Sequence, residues 1–172
     1  YQSILIARNF IFAKVYNARW VLERAVRDYS LRLDSEKIKE KSRLLYNSLQ
    51  NIRTCEDASV LLGLEGEAAS VYFSVFDQLI LRQKEDFYFK GRNKRPPLDN
   101  VNALLSFAYS LLAGMCGSAL EGVGLDSYVG FYHTDRPGRI SLALDIMEEL
   151  RGVMAERFVL TLINKRVIKK EH

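Results

Sequence analysis

The sequence predicts an all-α protein: a single helical domain of about six helices spanning residues 1–172. Three observations carry this. Only three prolines occur in 172 residues, two of them adjacent, so the segments between helix breakers are long. Within those segments apolar residues recur at helical spacing. No stretch alternates apolar and polar residues for long enough to argue for a sheet.

The first helix is expected from about Ser3 to Tyr29, with Ile4, Phe12, Val15, Trp20, Leu22 and Val26 at its apolar positions. Asp34 or Ser35 can cap a second, which runs through Ile38, Leu45 and Leu49 to about Asn51. Thr54 and Asp57 resemble a capping box for a third, expected to continue to about Leu81. Its helical stripe is Val60, Leu61, Leu64, Ala68, Val71, Tyr72 and Val75. The composition then turns basic, with Arg82, Lys84, Lys90, Arg92, Lys94 and Arg95 ahead of Pro96 and Pro97, so 82–97 reads as a basic loop. A fourth helix follows from about Asp99 to Leu120, with an apolar face of Leu104, Leu105, Phe107, Leu111 and Leu112. Gly122, Gly124 and Gly130 mark a loop. A fifth helix is expected from near Arg139, after Pro137 and Gly138, to Arg151, with Gly152 dividing it from a sixth that ends near Lys165.

With 48% hydrophobic and 27% charged residues, the chain has ordinary globular composition, which excludes whole-chain disorder. The net charge of +4 mildly favours an anionic partner. Cys55 and Cys116 fit no metal or redox spacing and read as half-buried thiols in a reducing, cytoplasmic setting. No apolar run reaches the roughly 20 residues of a membrane span, so no membrane partner is expected. Arg8 and Lys14 interrupt the apolar opening, which is therefore not a signal peptide. The chain starts at Tyr1 without an initiator Met and reads as part of something longer.

Histidine is scarce. His172 is the last residue, so an imidazole that does chemistry is expected to be His133, in the mostly apolar loop Val129-Gly130-Phe131-Tyr132-His133-Thr134. On spacing alone a lone histidine of this kind is more often structural. Glu65 stacks with Leu61, Ala68 and Tyr72 on the apolar side of the third helix, between Gly63 and Gly66. A carboxylate there needs a cation partner, either an ordinary arginine salt bridge or something functional. Glu67 points elsewhere. Asp145, Glu148 and Glu149 form an acidic cluster in which Asp145 and Glu148 share a face. Such pairs are usually solvated surface. One imidazole with two or three carboxylates nevertheless suits Mg²⁺ or Mn²⁺ better than structural zinc. The basic stretch, interleaved with Phe87, Tyr88 and Phe89, either grips phosphates or is a solvated loop. No Walker, Rossmann or nucleophile-elbow pattern is present.

Four motifs resemble one family. Leu61-Leu62-Gly63-Leu64-Glu65-Gly66-Glu67-Ala68-Ala69 is similar to the glutamate-bearing helix of the CRISPR-associated endonuclease/integrase of spacer acquisition. Arg92-Asn93-Lys94-Arg95-Pro96-Pro97-Leu98-Asp99, then Asn102-Ala103-Leu104-Leu105-Ser106, resembles its basic loop and following helix. Gly130-Phe131-Tyr132-His133-Thr134 resembles its histidine loop, and Ser141-Leu142-Ala143-Leu144-Asp145-Ile146-Met147-Glu148-Glu149-Leu150-Arg151 its acidic helix. Ala13-Lys14-Val15-Tyr16-Asn17 and Leu22-Glu23-Arg24 fit its first long helix. The match spans essentially the whole chain in order.

The resemblance implies a metal-dependent DNA endonuclease/integrase of antiviral defence, joining DNA 3′-hydroxyl ends to a CRISPR repeat by transesterification. It implies that Glu65, His133 and Glu148 are catalytic and hold Mg²⁺ or Mn²⁺, with Asp145 in support. Asp145 competes with Glu148 as the third ligand, and Glu148 is preferred. Arg92, Lys94 and Arg95 are expected to bind DNA. The implied partners are branched or 3′-ended double-stranded DNA, the CRISPR repeat, a small CRISPR-associated subunit and, when full length, a second copy. An N-terminal β-rich domain of the family is absent from this chain. The competing readings are a metal-dependent nuclease without integration, a non-catalytic helical DNA-binding module, and a protein-interaction scaffold.

Overall fold

The computed structural model describes residues 2–171, and among them every regular element is helical. Six α-helices follow in order: α1 (Gln2–Tyr29), α2 (Ser35–Thr54), α3 (Ala58–Phe73), α4 (Asn100–Gly122), α5 (Ser141–Leu150) and α6 (Arg157–Asn164). Short 3-10 turns occupy Ser30–Arg32 and Phe76–Leu79.

Aspartates start three of the helices by accepting amide protons that have no partner within the helix. Asp34 accepts from Lys37 N (3.1 Å), Asp57 from Ser59 N (2.8 Å) and Val60 N (2.9 Å), and Asp99 from Asn102 N (2.7 Å). Thr54 is the last residue of α2, so the expected capping box is a single aspartate cap. The third helix also stops at Phe73, short of the expected Leu81. There the Ser74 hydroxyl donates to the Val71 carbonyl at 2.7 Å, and the chain turns so that Phe76 packs between Phe73 and Phe89.

Gly152 was expected to separate two helices, but it lies inside a π-helical turn, Arg151–Glu156, that joins α5 to α6 without a break. It is buried against α1, where an added Cβ would sit 3.6 Å from Ala18 N. Asn17 Nδ2 donates to the Glu149 carbonyl beside this turn at 2.8 Å, tying the rod to α1.

Helix α1 packs on α2, α3, α5 and the π-helical turn, while α4 packs on α5, that turn and α6. Ile11, Leu22, Ile38, Leu45, Leu61, Phe76, Leu105 and Ile163 are fully buried at these contacts. The expected apolar face of α4 divides in two. Val101, Leu105, Ala108, Leu112, Cys116 and Leu120 are buried, whereas Phe107, Leu111 and Met115 are exposed, as is Trp20 on α1. By length and composition alone, the 23 residues of α4 could cross a membrane, which corrects the expectation that no run is long enough; a core helix passes the same test. Both cysteines are free and buried.

Candidate functional site

Three carboxylates and one imidazole meet where α1, α3, α5 and the loop before α5 converge. Asp145 organises the loop. It is completely buried, and its Oδ2 accepts backbone N–H bonds from Phe131 (2.6 Å) and Tyr132 (2.9 Å). Its Oδ1 accepts from His133 N (2.9 Å) and pairs with His133 Nδ1 (2.7 Å). Burial pushes this carboxyl up, but the imidazole and the three amides outweigh it and hold it below the ordinary aspartate value. An ionised carboxylate only accepts, so Nδ1 carries the proton, and in the neutral ring Nε2 keeps its lone pair. That nitrogen faces Glu148 Oε1 at 3.9 Å.

Gly130 allows the loop to lie this close to α5. A Cβ there would meet the His133 carbonyl oxygen and Ser141 Cβ, each at 2.7 Å.

Glu148 is nearly buried and held by two cations. Lys14 Nζ contacts its Oε2 at 2.6 Å, and Arg151 Nη1 donates to both oxygens at 2.8 and 3.1 Å. Burial alone would raise this carboxyl, but Lys14 and Arg151 reverse that and hold it at about 2. Lys14 Nζ also bonds Glu65 Oε1, so one ammonium bridges the carboxylates of α3 and α5. Glu65 does lie on the buried face, with Leu61, Ala68 and Tyr72 buried along it, and its partner is a lysine from α1 rather than an arginine.

Arg151 stacks its guanidinium 4.2 Å from the Tyr109 ring centre, and the Tyr109 hydroxyl donates to Glu156 Oε1 at 2.7 Å. Burial opposes the Arg151 charge, yet Glu148, then Tyr109 and Glu156, hold it above its ordinary value. The buried Tyr132 hydroxyl and Arg151 Nε have no hydrogen-bond partner. Burial, followed by Glu65, Glu148 and Asp145, raises the Tyr132 phenol.

Glu65, His133, Glu148 and Asp145 therefore come together, whereas Glu67 and Glu149 face solvent. Asp145 and Glu148 are geometrically distinct: Asp145 is fully engaged by the loop, and Glu148 faces Glu65 across Lys14. Among the described residues no three His, Cys, Asp or Glu side chains already form a metal cluster. The donor set still fits a hard divalent ion. Two carboxylates share one cation, and an imidazole nitrogen lies 3.9 Å from one of them.

The basic loop is more heterogeneous than its composition suggests. Arg92 is partly buried and donates to Asn102 Oδ1 (2.8 Å), Ser106 Oγ (3.1 Å) and the Asn93 carbonyl. Lys94 and Arg95 are exposed. Partial desolvation, then Arg151 and Arg92, lower the Lys94 ammonium below its ordinary value, with Glu148 opposing them. Phe87 and Phe89 belong to the core, leaving Tyr88 exposed under Lys90.

Sequence reasoning did not single out Lys14, Tyr132 or Arg151. Lys14 left a signal: it falls at i+3 from Ile11 and i−4 from Ala18, on the buried stripe of α1, where a charge demands a counter-charge.

The model of the family described as "CRISPR associated protein Cas1" matches residues 1–172. A "CRISPR-associated endonuclease Cas1 2" of Rhodospirillum rubrum is 51% identical over 168 residues, covering 95% of this chain and 49% of that protein. Among solved structures, a partial Cas6-RT-Cas1–Cas2 complex superposes with a TM-score of 0.86 at 28% identity, covering 98% of this chain and 48% of that one. A casposase bound to integration product superposes at 0.79 and 28% identity, covering 98% and 45%. The chain spans about half the length of the curated relatives it matches. With a family model matched from end to end and half its residues shared with a curated relative, the chain belongs to the Cas1 family of CRISPR-associated proteins.

Proposed function

We propose that this chain is the helical catalytic domain of a cytoplasmic spacer-acquisition integrase, whose further β-rich domain lies outside it. The protein would join 3′-hydroxyl ends of short double-stranded DNA to a CRISPR repeat by transesterification. The observation that carries the reading is that Lys14 Nζ contacts both Glu65 and Glu148 while His133 Nε2 lies 3.9 Å from Glu148 Oε1, in a family whose curated relatives are named endonucleases. The solved neighbours that carry an integration product and a second Cas subunit support DNA and a small Cas2-type subunit as partners. Homodimerisation of the full-length protein belongs to the same reading.

Glu65, His133 and Glu148 would hold Mg²⁺ or Mn²⁺. When bound, the ion supplies Lewis-acid chemistry, favouring the attacking oxygen and stabilising charge on the phosphate. Asp145 orients the imidazole so that Nε2 points inward. Arg151 fixes the Glu148 carboxylate, which is buried with Asp145 on α5. Lys94 and Arg95 would position the DNA backbone, while Arg92, already committed to α4, shapes the loop that presents them.

The test is calorimetric titration of Mn²⁺ into the protein and its His133→Ala variant, alongside strand joining on branched DNA by Glu65→Ala. One ion bound by wild type and none by His133→Ala, with joining lost in Glu65→Ala, is the expected result. Equal binding by both proteins removes His133 from the site, and normal joining by Glu65→Ala removes the glutamate. Cleavage without joining favours the plain nuclease, and DNA binding that Glu65 and His133 do not influence favours a non-catalytic module.

A further inference from the structure

We infer that the Lys14 ammonium is a resident counter-cation of the acidic site, which a divalent ion must displace, so that Lys14 sets the metal affinity. The inference rests on the metal reading of Glu65, His133 and Glu148 and deepens it.

The geometry leaves little room for both cations. Lys14 Nζ bonds Glu65 Oε1 and lies 2.6 Å from Glu148 Oε2, so it occupies the point that an ion shared by the two carboxylates would take. The partners are sheltered, with side-chain exposures of 16% for Lys14, 18% for Glu65 and 5% for Glu148. At such a position two cations repel strongly. Charge counting agrees. Glu65 and Glu148 pair with Lys14 and Arg151, and Asp145, paired with His133, leaves one negative charge in excess among these side chains. A divalent ion added to all of these would leave one positive charge in excess, and withdrawal of Lys14 restores neutrality.

Arg151 is the poorer candidate to leave. Its guanidinium holds both Glu148 oxygens and is stacked on Tyr109. Lys14 is a point charge on a flexible four-carbon stem that enters from α1 and can swing away without disturbing a stacked or bidentate arrangement.

The experiment compares Mn²⁺ binding by calorimetry, and thermal unfolding with and without Mn²⁺, for the protein and Lys14→Met. The expected result is a Kd for Mn²⁺ lowered about tenfold or more. It is accompanied by a lower metal-free Tm, because Glu65 then loses its cation and faces Glu148, which only Arg151 still pairs, and by a larger Mn²⁺-induced rise in Tm. A merely structural lysine would lower the metal-free Tm and leave Kd unchanged, and that outcome overturns the inference while the metal reading stands. Weaker binding by Lys14→Met also overturns it. No Mn²⁺ binding by either protein overturns the metal reading and the inference together. The double variant Lys14→Met/Glu65→Ala should lose the tightened binding, and its persistence would locate the gain elsewhere. Should Lys14→Met fail to fold without metal, Lys14→Gln removes the same charge, keeps a polar tip, and carries the same expectation.

Discussion

Asp145→Asn offers a sharp test of how the histidine loop is built. The substitution preserves shape and removes one acceptor oxygen. Four donors converge on this carboxylate, two on each oxygen: Phe131 N and Tyr132 N on Oδ2, His133 N and Nδ1 on Oδ1. If Oδ2 becomes the amide NH₂, the Phe131 and Tyr132 amides face another donor; if Oδ1 does, the His133 amide faces one and the imidazole must move its proton from Nδ1 to Nε2. A buried donor left without a partner costs about 1–3 kcal/mol. Because the loop can relax outward, we expect a loss of about 3 kcal/mol, below the simple sum of the upper values. Urea unfolding measures the global part. Hydrogen exchange at the amides of Phe131, Tyr132 and His133 measures the local part, and these amides should lose protection before those of α5. Mn²⁺ affinity should fall by about 10–100-fold as His133 loses its orienting partner. An unchanged urea midpoint with these amides still protected would refute the argument that the carboxylate holds the loop.

Three further outcomes follow from the same geometry. The Glu148 carboxyl is held at about 2 against an ordinary 4.5, so its ion pairs contribute fully above pH 4.5 and are lost as pH falls towards 2; the urea midpoint of metal-free protein should drop across that window, and less so in Glu148→Gln. Gly130→Ala should destabilise the protein by about 1–3 kcal/mol and weaken Mn²⁺ binding, since its Cβ would press on the His133 carbonyl; a neutral effect in urea would mean that the loop has other room. Lys94→Ala and Arg95→Ala should each reduce the salt slope of DNA binding by about 1, whereas Arg92→Ala should mainly lower stability because its hydrogen bonds go to α4; equal slopes for all three and wild type would remove the loop from the DNA interface.

The sequence by itself determined the helical class, the start of α2 at Asp34 or Ser35, that of α4 at about Asp99, and the register that turns Glu65 towards the core. These are local matters: a cap acts within three residues, and a buried stripe repeats every three or four. The ends were less legible. Helix α3 stops at Phe73 because Phe76 and Phe89 close an aromatic cluster with it, and the chain passes Gly152 without a break because that residue packs on α1. Both depend on a surface supplied from far along the chain.

The site divides the same way. Scarcity pointed to His133, and spacing put Asp145 and Glu148 on one face, but nothing local distinguished their tasks. Only the fold brings the loop amides onto Asp145 and aims Glu148 at Lys14, which lies 134 residues earlier. Likewise, residues 82–97 look uniformly basic in sequence, and only packing sets Arg92 against α4 while leaving Lys94 and Arg95 in solvent. A charge's partner depends on distance in space, and one-dimensional spacing records that distance only within a single helix turn or two.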